Sequence, residues 1–130
     1  MKYREFTTFR GTKVLAGKSA KQNESLVKEF IGKPNIIMHT ARPGSPFCVI
    51  PRKAKIGDKK QVAIFCASKS QDWRDNKQDV LMHVFKGKDV YKEKHMKTGT
   101  FGVNKLKRIK IKKREIEKFL EKHDRKTSTS

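Results

Sequence analysis

His39 closes the apolar run Ile36-Ile37-Met38 and opens a glycine-proline loop that reaches Ser45 six residues later. An imidazole there can hydrogen-bond a ribose or phosphate, act as a base toward Ser45, or hold the loop through a backbone carbonyl. No acidic residue stands at a spacing that would orient it as in a catalytic triad. Gly17-Lys18-Ser19 invites comparison with a phosphate-binding P-loop, but Gly11 is one residue too far upstream and Val14-Leu15 reads as strand. The local chemistry still suits anions, because a glycine turn, Lys18 and Lys21 fall where the first turn of a helix would present free backbone amides. The competing reading is a well-capped helix with solvated lysines.

Metal and carboxylate chemistry have less behind them. The four histidines and two cysteines show no Cys-x-x-Cys or His-Glu-x-x-His spacing. Cys48 and Cys66 each sit in an apolar pattern, where a reduced thiol behaves as a small hydrophobe. Glu24, Glu29, Glu115, Glu117 and Glu121 fall on charged helical faces and read as solvated ion pairs. No catalytic group, metal or other cofactor is expected.

The densest charge lies late in the chain, in Lys105, Lys107, Arg108, Lys110, Lys112, Lys113 and Arg114, alternating with Leu106, Ile109 and Ile111. A strand with the aliphatics inward sets a basic row outward at about 7 Å intervals, two residues' rise, close to the phosphate repeat of a nucleic-acid strand. Trp73 beside Arg74 and Tyr91 beside Lys92 offer stacking surfaces, though core packing is the better reading of Trp73.

The elements that must position these groups follow from periodicity and turn chemistry. Tyr3 to Phe9 and Lys13 to Ala16 read as a hairpin turned at Gly11. Ser19 with Gln22 fits a capping box, and Asn23 is an alternative cap, for a helix with Leu26, Val27, Phe30 and Ile31 inward, stopped by Gly32 and Pro34. Asn35 to His39 and Phe47 to Ile50 read as core strands joined by a loop whose Pro43-Gly44 suits a type II turn. Asp58 and Gln61 repeat the capping-box spacing before a second helix running to Trp73. Asp79 to Phe85 and Val90-Tyr91 read as strands, and Thr100 to Val103 with Leu106 to Ile111 as a hairpin around Asn104. Ile116, Phe119, Leu120 and His123 recur at helical spacing. The expected fold is α+β, a largely antiparallel mixed sheet with two packed helices and a basic C-terminal helix. The expected division is a domain over 1–112, that helix over 113–124 and a disordered tail over 125–130.

Composition bounds the partners. Lys and Arg number 33 against 13 acidic residues in 130, a formal charge of +20, while 35% of residues are hydrophobic, enough for one core. Such a field attracts polyanions, nucleic acid first. No apolar run approaches the roughly 20 residues of a membrane span, and the first residues lack a signal-peptide stretch, so a cytoplasmic address without membrane is expected. Nothing in the sequence sets an oligomeric state.

Gly17-Lys18-Ser19-Ala20-Lys21-Gln22-Asn23-Glu24-Ser25-Leu26 resembles the Gly-Arg-Asn-Ala-Lys-Gln-Asn-Asp-x-Leu block of the NFACT-R domain family. His39 with Pro43-Gly44-Ser45 and Phe47 to Ile50, the small-residue helix Val62 to Trp73, Asp89-Val90-Tyr91-Lys92, and Gly99 to Val103 followed by Lys107 to Ile111 resemble the family's later blocks in order, over roughly residues 3 to 112. Lys18, Ser19 and Asn35 to Met38 depart from the family pattern. The resemblance implies a non-catalytic RNA-binding domain, standing alone here, linked to ribosome-associated quality control or translation. Its expected partner is structured RNA, rRNA or tRNA, with the large ribosomal subunit as context. The expected contacts are Lys18, Lys21, Gln22 and Asn23 at the helix start, His39, Arg42 and Ser45 in the loop, and Arg108, Lys110, Lys112 and Arg114 as an electrostatic footprint on phosphates. The rival readings are a basic protein-interaction module of a ribosomal assembly and an RNA-processing enzyme.

Overall fold

A computed structural model describes residues 2–128. In chain order the elements are β1 (Arg4–Thr7), β2 (Lys13–Ala16), α1 (Ala20–Lys28), β3 (Ile36–Thr40), β4 (Cys48–Val49), α2 (Asp58–Ser68), α3 (Gln71–Asn76), β5 (Val80–Lys86), β6 (Val90–Tyr91), β7 (Gly102–Val103), β8 (Lys107–Ile111) and α4 (Lys113–Ser128). Six strands form one sheet in the order β1-β2-β4-β3-β5-β8, antiparallel at each pairing, and β6 and β7 form a separate ribbon. The expectation of an α+β fold with a largely antiparallel sheet is met, and every pairing of the sheet is antiparallel.

Alternation along the strands divides the interior in two. One sheet face carries Val14, Ala16, Met38, Cys48, Val80, Met82 and Ile111, and packs on Val62, Phe65 and Cys66 of α2, Trp73 of α3 and Ile116 of α4. The other carries Leu15, Ile37, Val49 and Phe85, and packs on Leu26 and Val27 of α1 and on Val90 and Val103 of the ribbon. Both clusters hold residues sealed from water, and each fully buried Val, Leu, Ile or Met side chain among them contributes about 1.5–3 kcal/mol. Trp73 is a core residue at 5% exposure. Both cysteines are buried free thiols, and burial pushes the Cys48 thiol up.

Three local expectations change. β7 pairs with β6 and β8 with β5, so no hairpin forms around Asn104, whose N–H instead donates to the Asp89 carbonyl at 2.8 Å. The helix expected to run to Trp73 breaks at Lys69-Ser70, and Ser70 caps α3 by accepting the Trp73 N–H at 3.1 Å. Asp58 does not cap α2: Gly57, at φ 87°, holds that place, and the Asp58 side chain turns inward to accept from Thr12 Oγ1 at 2.6 Å and the Lys55 N–H at 2.7 Å. The C-terminal helix is α4, bounded at Lys113–Ser128, and 129–130 lie outside the described residues. No helix among the described residues is long and apolar enough to cross a membrane.

Candidate nucleic-acid interface

At one end of the sheet β2 ends, β3 ends and β4 begins, and the connections leaving them surround an open cleft of about 740 Å³. Its walls are the start of α1, the loop from Ala41 to Phe47, the α2–α3 junction, and the segment from Thr98 to Phe101, with His39 and His83 on the sheet between them.

The helix start forms as the capping-box pattern requires, with one difference. Ser19 Oγ accepts the Gln22 N–H at 3.2 Å, and Gln22 Oε1 reaches back to the Lys18 N–H at 3.0 Å, one residue before the cap. The cap occupies two of the amides that an anion was expected to find free. Gln22 also donates to the Lys2 carbonyl at 3.1 Å, so its side chain is engaged locally. Lys18 is exposed on the cleft rim, whereas Lys21, also exposed, lies outside the lining.

The loop is fastened on several sides. Ser45 Oγ accepts the Thr40 N–H at 3.1 Å, the Gly44 carbonyl accepts the Gln71 N–H at 2.8 Å, and Cys66 donates through sulfur to the Pro46 carbonyl at 3.3 Å. From α1, Asn23 donates to the Ser45 carbonyl at 3.4 Å and accepts the Phe47 N–H at 3.0 Å. Gly44 sits at φ 93°, as a type II turn after Pro43 needs. Asn23 and Ser45, expected as RNA contacts, are buried and spend their polar atoms holding this loop. Arg42 is exposed on the loop but outside the cleft lining.

His39 lies flat on Phe47, ring centroids 4.2 Å apart, and Phe47 meets Phe85 and Phe101 edge-on. Burial, with the neighbouring His83, takes the His39 pKa down to about 4, so its ring is neutral near pH 7. His83, opposite His39 on β5, is also lowered by burial and by the charge of Arg108, its partner on β8.

The Thr98–Phe101 wall is tied to α1 by Glu24. Its carboxylate accepts from Lys92 Nζ and the Gly99 N–H, both at 2.8 Å, and pairs with Lys28 at 3.0 Å. Burial raises the Glu24 pKa, but these donors outweigh it and hold it at about 2. Lys92 Nζ also donates to the Lys97 and Thr100 carbonyls at 2.6 and 2.7 Å and stands 4.8 Å over the Phe101 ring.

Arg4, Lys18, Lys69 and Arg74 supply cations from four parts of the chain, and among the described residues lining the cleft there is no carboxylate. Sequence reasoning names Arg74 only as the neighbour of a stacking surface at Trp73, and does not single out Lys69, His83 or Thr98 to Phe101 as binding residues. The cations among them carry a weak signal by type, but only the tertiary fold brings them beside Lys18. The basic row divides: Arg108 and Lys110 stand on the open face of edge strand β8, while the chain turns at Lys112 into α4, which carries Arg114 to the α2 side.

The family model for the NFACT protein RNA-binding domain matches residues 2–105. The chain belongs to that family. The match takes in the whole cleft and ends before β8, leaving Arg108, Lys110, Lys112 and Arg114 beyond it. Over 73 residues the NFACT-R chain is 36% identical to the archaeal Rqc2 homolog aRqcH of Methanocaldococcus jannaschii, covering 54% of this chain and 11% of that protein. Its fold is similar to the C-terminal part of the fibronectin/fibrinogen-binding protein from Streptococcus suis, with a TM-score of 0.74 at 20% identity over 91% of this chain and 49% of that one.

Proposed function

We propose that this NFACT-R domain binds structured RNA, rRNA or tRNA, by its phosphates, with the cleft as the principal site and the β8 face as a flanking electrostatic surface. The observation that carries the reading is a cleft rimmed by Arg4, Lys18, Lys69 and Arg74 without a lining carboxylate, in a +20 member of an RNA-binding domain family. Lys18 and Arg74 take backbone phosphate from opposite rims, and neutral His39 and His83 offer hydrogen bonds without adding charge. Asn23 and Ser45 act by holding the loop. The likeness to an Rqc2 homolog supports a link to ribosome-associated quality control, with the large ribosomal subunit as the setting. This is a binding role rather than a catalytic one.

Lys18→Glu with Arg74→Glu tests the cleft directly, since both side chains are exposed and neither belongs to the core. Removing two phosphate-neutralising cations should lower the slope of log affinity against log salt by about 1.4–1.8 and weaken RNA binding more than tenfold at low salt. Wild-type affinity and slope in this variant would remove the cleft from the account.

A further inference from the structure

Phe9 and Ile56 are the two most exposed large apolar side chains described, at 84% and 87%, and they stand at the end of the sheet opposite the cleft. Single exposed hydrophobics are ordinary. These two share one corner, and the corner is built to be rigid. The turn between β1 and β2 closes through the Thr8 N–H to Thr12 at 2.9 Å and the Gly11 N–H to Thr8 at 2.9 Å, with Gly11 at φ 86°. Buried Asp58 then joins this turn to the next loop, accepting from Thr12 Oγ1 and from the Lys55 N–H. Lys55 Nζ returns to the Arg10 carbonyl at 3.1 Å, and the Phe9 N–H donates to Gln61 of α2. Two loops distant in sequence are thus locked side by side, each presenting one apolar side chain to solvent.

The rim is cationic: Arg10, Arg52, Lys53, Lys55 and Lys59 are all exposed or partly so. An exposed aromatic ring and a branched aliphatic on fastened backbone, with positive charge close by in the same loops, match what an unpaired base and its phosphate require. The base stacks on the ring or is wedged by the aliphatic, while the cations meet the backbone.

We propose that the Phe9–Ile56 corner is a second RNA contact that captures unpaired bases, about 20 Å from the cleft along β2. The proposal rests on the RNA-binding reading and adds to it a preference for RNA that carries single-stranded nucleotides near a structured segment. An anionic membrane also answers to apolar side chains within a basic rim, but two side chains give a small insertion area, whereas one ring suffices for one base.

The test compares full-length wild type with Phe9→Ala/Ile56→Ala and with Phe9→Trp by fluorescence anisotropy. The probes are an RNA hairpin with an unpaired loop, a fully paired RNA of equal phosphate count, and phosphatidylserine vesicles. Both side chains lie outside the core, so circular dichroism should match across the variants. Expected are about a tenfold loss for the looped hairpin in the double variant, an unchanged salt slope, little change for the paired RNA, and wild-type affinity in Phe9→Trp. Wild-type binding that the double variant retains in full would overturn the corner and leave the cleft reading standing. Loss confined to the vesicles would overturn it in favour of a membrane contact. Failure of wild type to bind either RNA at physiological salt would overturn the RNA-binding reading itself and the corner with it.

Discussion

The Asn23 carboxamide accepts the Phe47 N–H at 3.0 Å and donates to the Ser45 carbonyl at 3.4 Å, so one side chain of α1 fixes the loop that lines the cleft. The fit is close: a Cβ at Gly17 would collide with the Asn23 side chain. Asn23→Leu leaves a buried donor and acceptor unmatched and should cost about 1–3 kcal/mol in urea unfolding. Gly17→Ala should be destabilising in the same assay by displacing the same amide. An RNA affinity that falls in parallel with loop protection from hydrogen exchange would mark Asn23 as a positioning residue. Reduced affinity with wild-type protection would make it a direct RNA ligand.

Glu24 holds the opposite wall through Lys92 and the Gly99 N–H, and also pairs with Lys28 on its own helix. Glu24→Gln keeps an acceptor but removes the charge, and should cost about 1–3 kcal/mol. With a folded pKa of about 2 against an ordinary 4.5, the unfolded chain binds the proton first as pH falls. The carboxylate's stabilisation is therefore complete above about pH 4.5 and disappears as pH drops toward 2. Thermal melts of wild type and Glu24→Gln should converge across that window.

His39 gives a second window of the same sign. Its folded pKa of about 4 lies below the ordinary 6.5, so the unfolded state takes up a proton that the folded state refuses between those values. Stability should decline as pH falls from 6.5 to 4, by on the order of 3 kcal/mol at most from this residue. His39→Phe retains a ring to stack on Phe47 and should flatten that part of the profile. An identical profile in the variant would place the pH dependence elsewhere.

Much of this architecture is legible in the sequence because it is local. Ser19 and Gln22 announce their helix by spacing, and Pro43-Gly44 announces its turn. Pairing across distance is not legible in that way. Strand-like residues on both sides of Asn104 suggest a hairpin, yet β8 finds β5, because Ile109 and Ile111 pack opposite Met82 and Val80. The same limit hides half of the cleft. Lys69 looks like an ordinary helix-surface cation, and Arg74 like a neighbour of the Trp73 ring, until the break at Ser70 turns α3 toward the loop at Gly44. The part Asn23 plays in the fold is hidden for a related reason: its polarity suggests a ligand, while the loop its side chain fastens lies 22 and 24 residues away.

The β8 face makes a separate prediction. Arg108→Glu with Lys110→Glu leaves the core and the cleft's own cations in place, though it reverses the charge beside His83, and should lower the salt slope by about 0.7–0.9 for each phosphate no longer neutralised, across all RNAs alike. Lys112→Glu and Arg114→Glu, where the chain turns into α4, should have the smaller effect. An unchanged slope in the first pair would confine binding to the region matched by the family.

The most direct measurement is fluorescence-anisotropy binding of tRNA, an rRNA fragment, duplex DNA and heparin across a salt series. A structured RNA site predicts that tRNA or rRNA retains clear preference over duplex DNA and heparin at physiological salt, and that Lys18→Glu/Arg74→Glu abolishes the preference. Equal binding of all four polyanions that vanishes together as salt rises would contradict it, leaving only a basic surface and making an acidic protein partner the better account.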